Sequence, residues 1–397
     1  MISHGSFVMK TTIFLWVTVF WGSSYTFIEG RRMSREDYWE AKRLVKLSRR
    51  PSVKSIQAEN GDIYDCVIID KQLAFEHPAL KNHTIQMKPT SIPEWVKDTE
   101  GSNRTRSYIG LKGEGCPVGS VPVRRLQLQD ILRFNSVSSF GRKDIKGSEH
   151  HWAVTQSRGE FLGSSASVNL WNPTVYDDSQ FSLSQLWIAN EGGNLPIETV
   201  EAGWIVYPQL NGDRKTRLFV YWTSDGYENT GCHNLLCPGF VLVNNGVPID
   251  TTFSETSTYD GTSYYVTITV FQDSETQNWW VFANTEQMGY WPKELFNRLA
   301  NGAANRVDWG GEVYNTNPSG LQWPTMGSGH FPVRTNFYGK SCSTSRIQVL
   351  QPDLQWVNYG DTRPYATKPN CYKIIDARTQ PEWDRVITYG GPGGTQC

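Results

Sequence analysis

The sequence has almost no net charge and no hydrophobic run long enough to cross a membrane. Its 397 residues include 38 Lys and Arg and 39 Asp and Glu, which gives a net charge of -1. This balance argues against a nucleic-acid-binding protein that depends on a basic field over the whole molecule. No stretch reaches the roughly 18 apolar residues that a membrane-spanning helix needs. We therefore expect no nucleic-acid partner, and no membrane contact once a signal segment has been removed.

The familiar signatures of nucleophiles, nucleotide sites and zinc proteases are also absent. In residues 163–167, Gly-Ser-Ser-Ala-Ser, no Gly stands two residues after a Ser, so this is not a nucleophile elbow. Gly113, Gly115 and Gly119 are spaced wrongly for a dinucleotide-binding loop, and no His-Glu-x-x-His occurs. Acid–base chemistry would therefore fall to carboxylates. We expect neither a metal nor an organic cofactor.

Aromatic residues and glycine are abundant. Aromatics reach 13%, with 16 Trp, and there are 35 Gly. From His150 onward, short segments rich in aromatic and β-branched residues alternate with Gly, Pro, Asn and Asp, which is typical of strands joined by turns. Strands without intervening helices predict an antiparallel sandwich or barrel. We favour an all-β, jelly-roll-like β-sandwich.

The chain divides into two unlike parts near residue 150. Residues 1–149 hold 23 Lys and Arg against 16 Asp and Glu, a net +7, whereas residues 150–397 hold 15 against 23, a net -8. In the first part, a helix capped by Ser34 is followed by short strands, which predicts a small α+β domain. The polar segment 141–149 predicts a linker that proteases can reach. The domains are therefore expected at residues 25–149 and 150–397.

The N-terminus has the layout of a secretory signal peptide. A basic residue precedes the apolar run 11–22, and small residues follow it. We predict a signal peptide at residues 1–24 and a secreted protein, with a signal anchor as the alternative. The Asn-x-Thr sites at Asn82 and Asn103 are then candidates for glycosylation.

Secretion also decides how the seven cysteines are interpreted, because thiols that reach an oxidising compartment usually pair. The segment Cys232–Cys237 has one His between its cysteines and lacks the second ligand pair of a zinc site, so we favour a disulfide there. Spacing does not determine the connectivity. One set of pairs is Cys66 with Cys116, Cys232 with Cys237 and Cys371 with Cys397, with Cys342 unpaired. In the alternative, Cys342 pairs with Cys371.

Two glutamates stand in an unusual setting. Strand alternation places Glu201 on one face with Gly203, and Glu312 on one face with Gly310 and Tyr314. A carboxylate beside the space that a glycine leaves is what the floor of a cleft needs, so these two are the candidate catalytic residues. The simpler interpretation is that each is an ordinary solvent-facing strand residue. Other carboxylates are weaker candidates: Glu198, Asp225, Glu286 and Asp308.

Aromatic residues close to these glutamates are candidates for lining a substrate groove. Their rings could stack against rings of a substrate. The alternative, that they form the core of the sandwich, is the more frequent use of such residues. The four candidates are Trp204, Trp222, Trp309 and Tyr314.

Several spaced motifs resemble the neprosin family of plant secreted glutamic peptidases. In the second part of the chain they are Ser184–Trp187, Val200–Trp204, Arg217–Pro238, Gly289–Pro292, Trp309–Glu312 and Tyr389–Gly393. The first part resembles the activation domain of that family through Asp65–Val67, His77–Met87 and Cys116–Pro117. The resemblance runs from about residue 30 to the end of the chain.

This resemblance implies a zymogen with a β-sandwich peptidase domain whose two catalytic glutamates match Glu201 and Glu312. It also implies cleavage after proline in acid, and an activation domain that acts as an intramolecular inhibitor. The expected protein is a secreted, monomeric endopeptidase of the plant apoplast or cell wall that acts on polypeptides. The alternative is a carbohydrate-active or carbohydrate-binding β-sandwich protein of the cell wall without peptidase activity.

A pair of neighbouring glutamates suggests a mechanism. Like charges a few ångströms apart do not both ionise easily, so the pair would share one proton in acid. One glutamate could then activate a water while the other protonates the leaving nitrogen. The sequence does not assign these two roles. The opposite charges of the two parts of the chain also suggest that their contact weakens in acid.

Overall fold

The computed structural model of the protein describes residues 25–28, 31–94, 109–111, 113, 115–134, 136–143, 148–358, 360 and 362–397. The predicted signal peptide, the predicted glycosylation site at Asn103 and residues 144–147 of the predicted linker lie outside the described residues. Within the described ranges, no helix has both the length and the apolar character needed to cross a membrane.

Strands dominate the described residues, with a few short helices. The helices are α1 Arg35–Ser48, α2 Leu128–Leu132 and α3 Pro208–Asn211. The strands are β1 Tyr25–Ile28, β2 Arg31–Ser34, β3 Ser52–Gln57, β4 Ile63–Ile68, β5 Ser120–Arg124, β6 Glu149–Phe161, β7 Gly163–Leu170, β8 Phe181–Gly192, β9 Leu195–Val206, β10 Arg217–Thr223, β11 Val241–Leu242, β12 Tyr264–Gln272, β13 Trp279–Ala283, β14 Glu286–Trp291, β15 Ala304–Asn315, β16 Cys342–Leu350, β17 Trp356–Asn358, β18 Arg363–Ala366, β19 Lys373–Gln380 and β20 Asp384–Gly390.

The N-terminal part forms a small α+β unit. Helix α1 begins after Ser34, whose side-chain oxygen accepts a hydrogen bond from the N–H of Asp37 at 3.0 Å, as the predicted cap requires. After this helix, strands β3, β4 and β5 form one antiparallel sheet. A disulfide joins Cys66 of β4 to Cys116. The side chain of Asn82, the other predicted glycosylation site, is exposed.

The second part of the chain is the predicted antiparallel β-sandwich. One sheet has six strands in the order β10-β9-β8-β15-β6-β18, and the other has nine, ordered β11-β14-β13-β12-β7-β16-β20-β19 with β17 paired to β16. Their facing sides form one core, in which Leu186 and Val200 of the first sheet pack with Val168, Ile268 and Val281 of the second. The burial of this apolar surface is the main force that holds the two sheets together.

Three of the predicted groove residues belong to this core instead. Trp204, Trp309 and Trp222 are 0%, 0% and 2% exposed and lie in the cluster between the sheets. Successive strand residues point to opposite faces, so Trp204 cannot share a face with Glu201, nor Trp309 with Glu312. The prediction that these three tryptophans line a substrate groove is therefore wrong.

Residues of the N-terminal part cover the outer face of the six-stranded sheet. Phe134 packs with Tyr207 and Phe181 in a second apolar cluster on that face. Two buried ion pairs also connect the two parts: Arg124 Nε lies 2.7 Å from Asp250, and the guanidinium of Arg217 lies 2.6 Å from Asp62. The outer face is thus shielded from solvent by the chain itself.

The cysteines pair as in the first of the two predicted sets. Disulfides join Cys232 to Cys237 and Cys371 to Cys397, and Cys342 is a buried free thiol. The alternative, a bond between Cys342 and Cys371, is wrong. Because both sulfurs of the Cys232–Cys237 segment are in a disulfide, they are not metal ligands.

The close approach of β8 and β9 depends on Gly203. A Cβ atom at this position would lie 2.1 Å from the carbonyl oxygen of Ser184 and 2.6 Å from Cα of Gln185. We expect Gly203→Ala to destabilise the full chain by about 2 to 3 kcal/mol and to lower its melting temperature by about 5 to 10 °C. The control is Gly360→Ala, because a Cβ there meets no atom within 4 Å. Equal melting temperatures for the two variants would contradict this interpretation.

Candidate active site

The two candidate glutamates lie on the outer face of the six-stranded sheet. Glu201 is on β9 and Glu312 is on β15, with β8 between them. The register places Gln185 of β8 opposite Gly203 on one side and opposite Gly310 on the other. Gln185 therefore occupies the row of residues between the two glutamates, with a glycine on each side of it.

These glycines bring neighbouring strands close together and do not leave the open space that was expected from the sequence. Gly310 has a φ of 144°, and a Cβ atom there would lie 2.3 Å from the carbonyl oxygen of Ala153. A side chain at Gly203 would likewise meet the backbone of Ser184 and Gln185. Only glycine, which has no side chain, fits at these two positions on the strands that carry the glutamates.

A lysine from the predicted linker occupies the site between the two glutamates. The Nζ atom of Lys143 lies 2.7 Å from Oε2 of Glu201 and 2.8 Å from Oε2 of Glu312. Two oxygens held by one nitrogen at these distances are at most about 5.5 Å apart. The three side chains are 4%, 0% and 1% exposed. Both carboxylates are thus paired with the same ammonium and shielded from solvent.

Glu201 also accepts hydrogen bonds from three uncharged side chains. The hydroxyl of Tyr227 donates to Oε1 at 2.6 Å, and the hydroxyl of Thr199 donates to the same oxygen at 2.9 Å. The side-chain amide of Gln185 donates to Oε2 at 2.7 Å. These bonds determine the orientation of the carboxylate independently of Lys143, because all three donors belong to the β-sandwich.

Glu312 is held by a histidine as well as by Lys143. Nδ1 of His150 lies 2.6 Å from Oε1 of Glu312. Burial alone would raise the pKa of Glu312, but Lys143 and His150 together bring this pKa below its usual value. Burial likewise opposes the charge of Lys143, yet Glu201 and Glu312 raise the pKa of this ammonium above its usual value. The ammonium and the carboxylate of Glu312 therefore stabilise each other's charged form.

The chain just before Lys143 is tied to the sandwich by hydrogen bonds. The backbone N–H of His233 donates to the carbonyl oxygen of Gly141 at 2.9 Å, and Nδ1 of the same residue lies 3.0 Å from that oxygen. Arg142 donates to the carbonyl oxygen of Glu228 at 3.1 Å. Burial lowers the pKa of His233 to about 3. The histidine is therefore neutral while the linker is in place.

The candidates of the sequence analysis are only partly brought together. Glu201 and Glu312 meet at one ammonium, and Tyr314 lies on the same face, with its ring 4.7 Å from that of His150. The weaker candidates are engaged elsewhere. Glu198 accepts three backbone N–H bonds from residues 297–299, and Asp308 pairs with a neighbouring arginine at 3.0 Å.

Sequence reasoning missed five residues that contact the glutamates: Gln185, Thr199, Tyr227, Lys143 and His150. Gln185 lies in a predicted strand, and its position opposite Gly203 and Gly310 could be found only with the strand register. Tyr227 lies in a loop after β10. Lys143 and His150 lie in or beside the predicted linker, where their sequence context indicates nothing but a polar, accessible segment.

The fold and the site define a β-sandwich protein in which two buried carboxylates on one sheet are covered and neutralised by an N-terminal segment. Residues 178–392 match the family described as Neprosin, and residues 55–162 match the Neprosin activation peptide. The Neprosin match covers more than half of the chain, and the chain belongs to the Neprosin family. This assigns it to a family of peptidases that carry an activation peptide.

Solved structures to which this chain shows similarity include two peptidases. One is scytalido-glutamic peptidase with a peptide-based transition-state analogue, which is 14% identical, with 62% of this chain and 98% of that protein covered and a TM-score of 0.32. The other is SCP-B, a member of the eqolisin family of peptidases in a complex with the tripeptide Ala-Ile-His, which is 13% identical, with coverage of 61% and 98% and a TM-score of 0.33. At these low TM-scores, the family membership depends on the Neprosin matches alone.

Replacement of Lys143 by Met should expose the cost of two buried carboxylates without a counter-charge. Breaking a buried ion pair in this way costs about 3 to 5 kcal/mol. We expect Lys143→Met to lower the melting temperature of the full chain much more at about pH 7 than at about pH 4, because acid protonates the carboxylates and removes the penalty.

The control for this prediction is Lys340→Met. The ion pair of Lys340 with Asp260 is 3.7 Å long and largely exposed, so its loss should cost under about 1 kcal/mol at either pH. Thermal unfolding monitored by circular dichroism measures both variants. A loss of stability in Lys143→Met that has the same size at the two pH values would show that the carboxylates are not the source of the effect.

Proposed function

We propose that this chain is the precursor of a secreted glutamic endopeptidase, with Glu201 and Glu312 as its catalytic pair. Its substrates are polypeptides, cleavage after proline is the preference that the family resemblance implies, and the reaction runs in acid. The observation that carries this proposal is that two glutamates more than a hundred residues apart in the sequence hold one ammonium between them in a buried site.

The chemistry follows from the short distance between the two carboxylates. When Lys143 leaves, two carboxyl groups within about 5.5 Å of each other remain on one sheet face. Like charges at this distance do not both ionise easily, so the pair holds one proton between them in acid. The ionised glutamate draws a proton from a water that attacks the scissile carbonyl. The protonated glutamate hydrogen-bonds the carbonyl oxygen and then gives its proton to the leaving nitrogen.

Latency follows from the same geometry. While the ammonium of Lys143 lies between the carboxylates, neither one can hold the shared proton or contact a water and a substrate. The N-terminal part thus acts as an intramolecular inhibitor, and Lys143 is the group that blocks the pair. Cleavage after Lys143 within the predicted linker, residues 141–149, would leave this lysine on the N-terminal part and allow it to separate from the sandwich.

Acid weakens this contact through two groups. A histidine in water loses its charge near pH 6.5, whereas His233 under the linker has a pKa of about 3. Binding of the linker to the sandwich therefore becomes weaker as the pH falls from about 6.5 towards 3, because only the released form takes up this proton. The pKa of Glu312 is lowered from its usual value of 4.5 in the docked form. Docking therefore becomes still less favourable as the pH falls below about 4.5, because the released form takes up this proton more readily.

Replacing either glutamate by glutamine should abolish peptide cleavage, because each role in the shared-proton mechanism needs a carboxyl group. We expect Glu201→Gln and Glu312→Gln to fold and to lower turnover by at least about a hundredfold, with circular dichroism of each full chain as the check that it is folded. The measurement is a mass-spectrometric digest of a peptide library that contains proline, after acid treatment of the full chain. The control is Glu160→Gln, which changes an exposed glutamate of the same sheet.

Substantial cleavage by both glutamine variants would reject the catalytic pair. Digestion of polysaccharide and not of peptide by the same acid-treated protein would instead favour the carbohydrate-active alternative.

His233 should contribute to the pH at which the linker is released. His233→Asn can keep the hydrogen bond to Gly141 but has no proton to take up in acid, so we expect the midpoint of acid processing to move to lower pH. The measurement is the appearance of a product that begins near residue 150 after incubation of purified full chain over a series of pH values. His330→Asn, at an exposed histidine, is the control. The interpretation fails if His233→Asn is processed at the same pH as the unaltered chain, or if processing is equally efficient at pH 7.

A further inference from the structure

We infer that His150 is a positioning residue for Glu312. Through Nδ1 it holds one oxygen of this carboxylate, and once Lys143 has left, it keeps Glu312 in the charged form that acts as the general base. The inference rests on the proposed peptidase function and deepens it, because it assigns separate roles to the two glutamates.

The distance between His150 and Glu312 shows that the imidazole is the hydrogen-bond donor. His150 and Glu312 are diagonal neighbours on adjacent strands, since His150 of β6 pairs with Tyr314 of β15 two residues beyond Glu312. Nδ1 and Oε1 are 2.6 Å apart. Two atoms this close in a hydrogen bond need one proton between them, and a carboxylate has none to donate. The imidazole therefore donates through Nδ1, in its neutral form as well as in its charged form.

The ring of His150 is held in one orientation by aromatic neighbours. It is stacked on Trp152, with an angle of 9° between the rings and 5.5 Å between their centres. The rings of Tyr314 and Phe181 lie 4.7 Å and 5.9 Å from it. Its side chain is only 12% exposed. Nδ1 is thus directed at Glu312 by packing from the sandwich itself, which does not depend on the N-terminal part.

The two glutamates differ in what remains when Lys143 leaves. Glu201 keeps three uncharged donors, from Tyr227, Thr199 and Gln185. Among the described residues, the hydrogen-bond partner that Glu312 keeps is His150. The site is therefore asymmetric: one carboxylate has neutral partners and the other has a partner that can carry a positive charge.

A positive charge on His150 would increase this asymmetry. A charge-assisted hydrogen bond is about twice as strong as a neutral one, so a charged imidazole would hold the ionised form of Glu312 more firmly than a neutral one. Among the described residues, Glu312 and Tyr314 are titratable groups that contact the ring of His150, and Lys143 lies at the other oxygen of Glu312. The adjacent His151 points away and stacks on Trp323. The shared proton then resides on Glu201, and Glu312 is left ionised to accept a proton from the water.

This assignment also limits where the precursor can be cut. His150 is the second residue of β6, directly after the predicted linker. Maturation after Lys143 and before His150 removes the blocking group and keeps the positioning group. Further trimming of the N-terminus by even a few residues would remove His150 as well.

Two substitutions separate the hydrogen bond from the charge. His150→Phe keeps a flat ring for the stacking and loses both. His150→Asn can place an amide N–H near the position of Nδ1 but carries no charge. The measurement is the pH dependence of kcat/KM for peptide cleavage by the acid-matured full chain. Its acidic limb reports ionisation of the general base in the free enzyme.

We expect His150→Phe to lower kcat by at least about tenfold and to move the acidic limb to higher pH by about one unit. His150→Asn should recover most of kcat while its acidic limb stays displaced, because the donor is restored and the charge is not. His330→Asn should leave the profile unchanged. An acidic limb in the same place for all variants would overturn the inference.

A second measurement does not depend on activity. In full chain that carries Lys143→Met and is labelled with ¹³C at the glutamate carboxyl carbons, NMR follows the titration of Glu201 and Glu312, each assigned by its glutamine variant. We expect Glu312 to titrate at lower pH than Glu201, and the difference to shrink when His150→Phe is added. A difference that His150→Phe leaves intact would contradict the positioning role. If this difference depends on His150 but the acid-treated chain cleaves no peptide, the proposed function fails and the positioning role stands.

Discussion

The central interaction of this structure is one ammonium between two buried carboxylates. Charges are costly to bury, and Glu201 and Glu312 on one sheet face would repel each other without a cation. Lys143 supplies that cation from the N-terminal part of the chain. The apolar contacts of Phe134, the ion pairs across the interface and the hydrogen bonds to Gly141 serve to keep this side chain in place.

The sandwich can combine this chemistry with a stable fold because each strand has two faces. One face of the six-stranded sheet supplies tryptophans to the core, and the other carries the carboxylates, Gln185 and His150. Glycines on both sides of Gln185 let the strands approach closely, so the acids come together without any loop to place them. A site built on paired strands is rigid, and only the group that covers it needs to move.

The sequence was sufficient for the fold class, because alternation and turn residues are local signals. It left two sets of disulfides open, and it offered Glu201 and Glu312 as candidates whose catalytic role stays a prediction. It was insufficient for contacts between distant strands. Gln185 becomes part of the site only through register, and Trp204 and Trp309 were assigned to a groove although alternation points them to the core. Lys143 and His150 could not be found, because a buried lysine and an exposed linker lysine have the same local sequence. Packing against another domain is what distinguishes them.

The most direct test is a high-resolution crystal structure of the protein after acid maturation, at about pH 4. The account predicts that Lys143 has left, that the carboxyl groups of Glu201 and Glu312 stay within one water's reach of each other, and that unequal C–O bond lengths mark one of them as protonated. A matured structure with Lys143 still seated between them, or with the two carboxyl groups turned to separate surfaces, would contradict it.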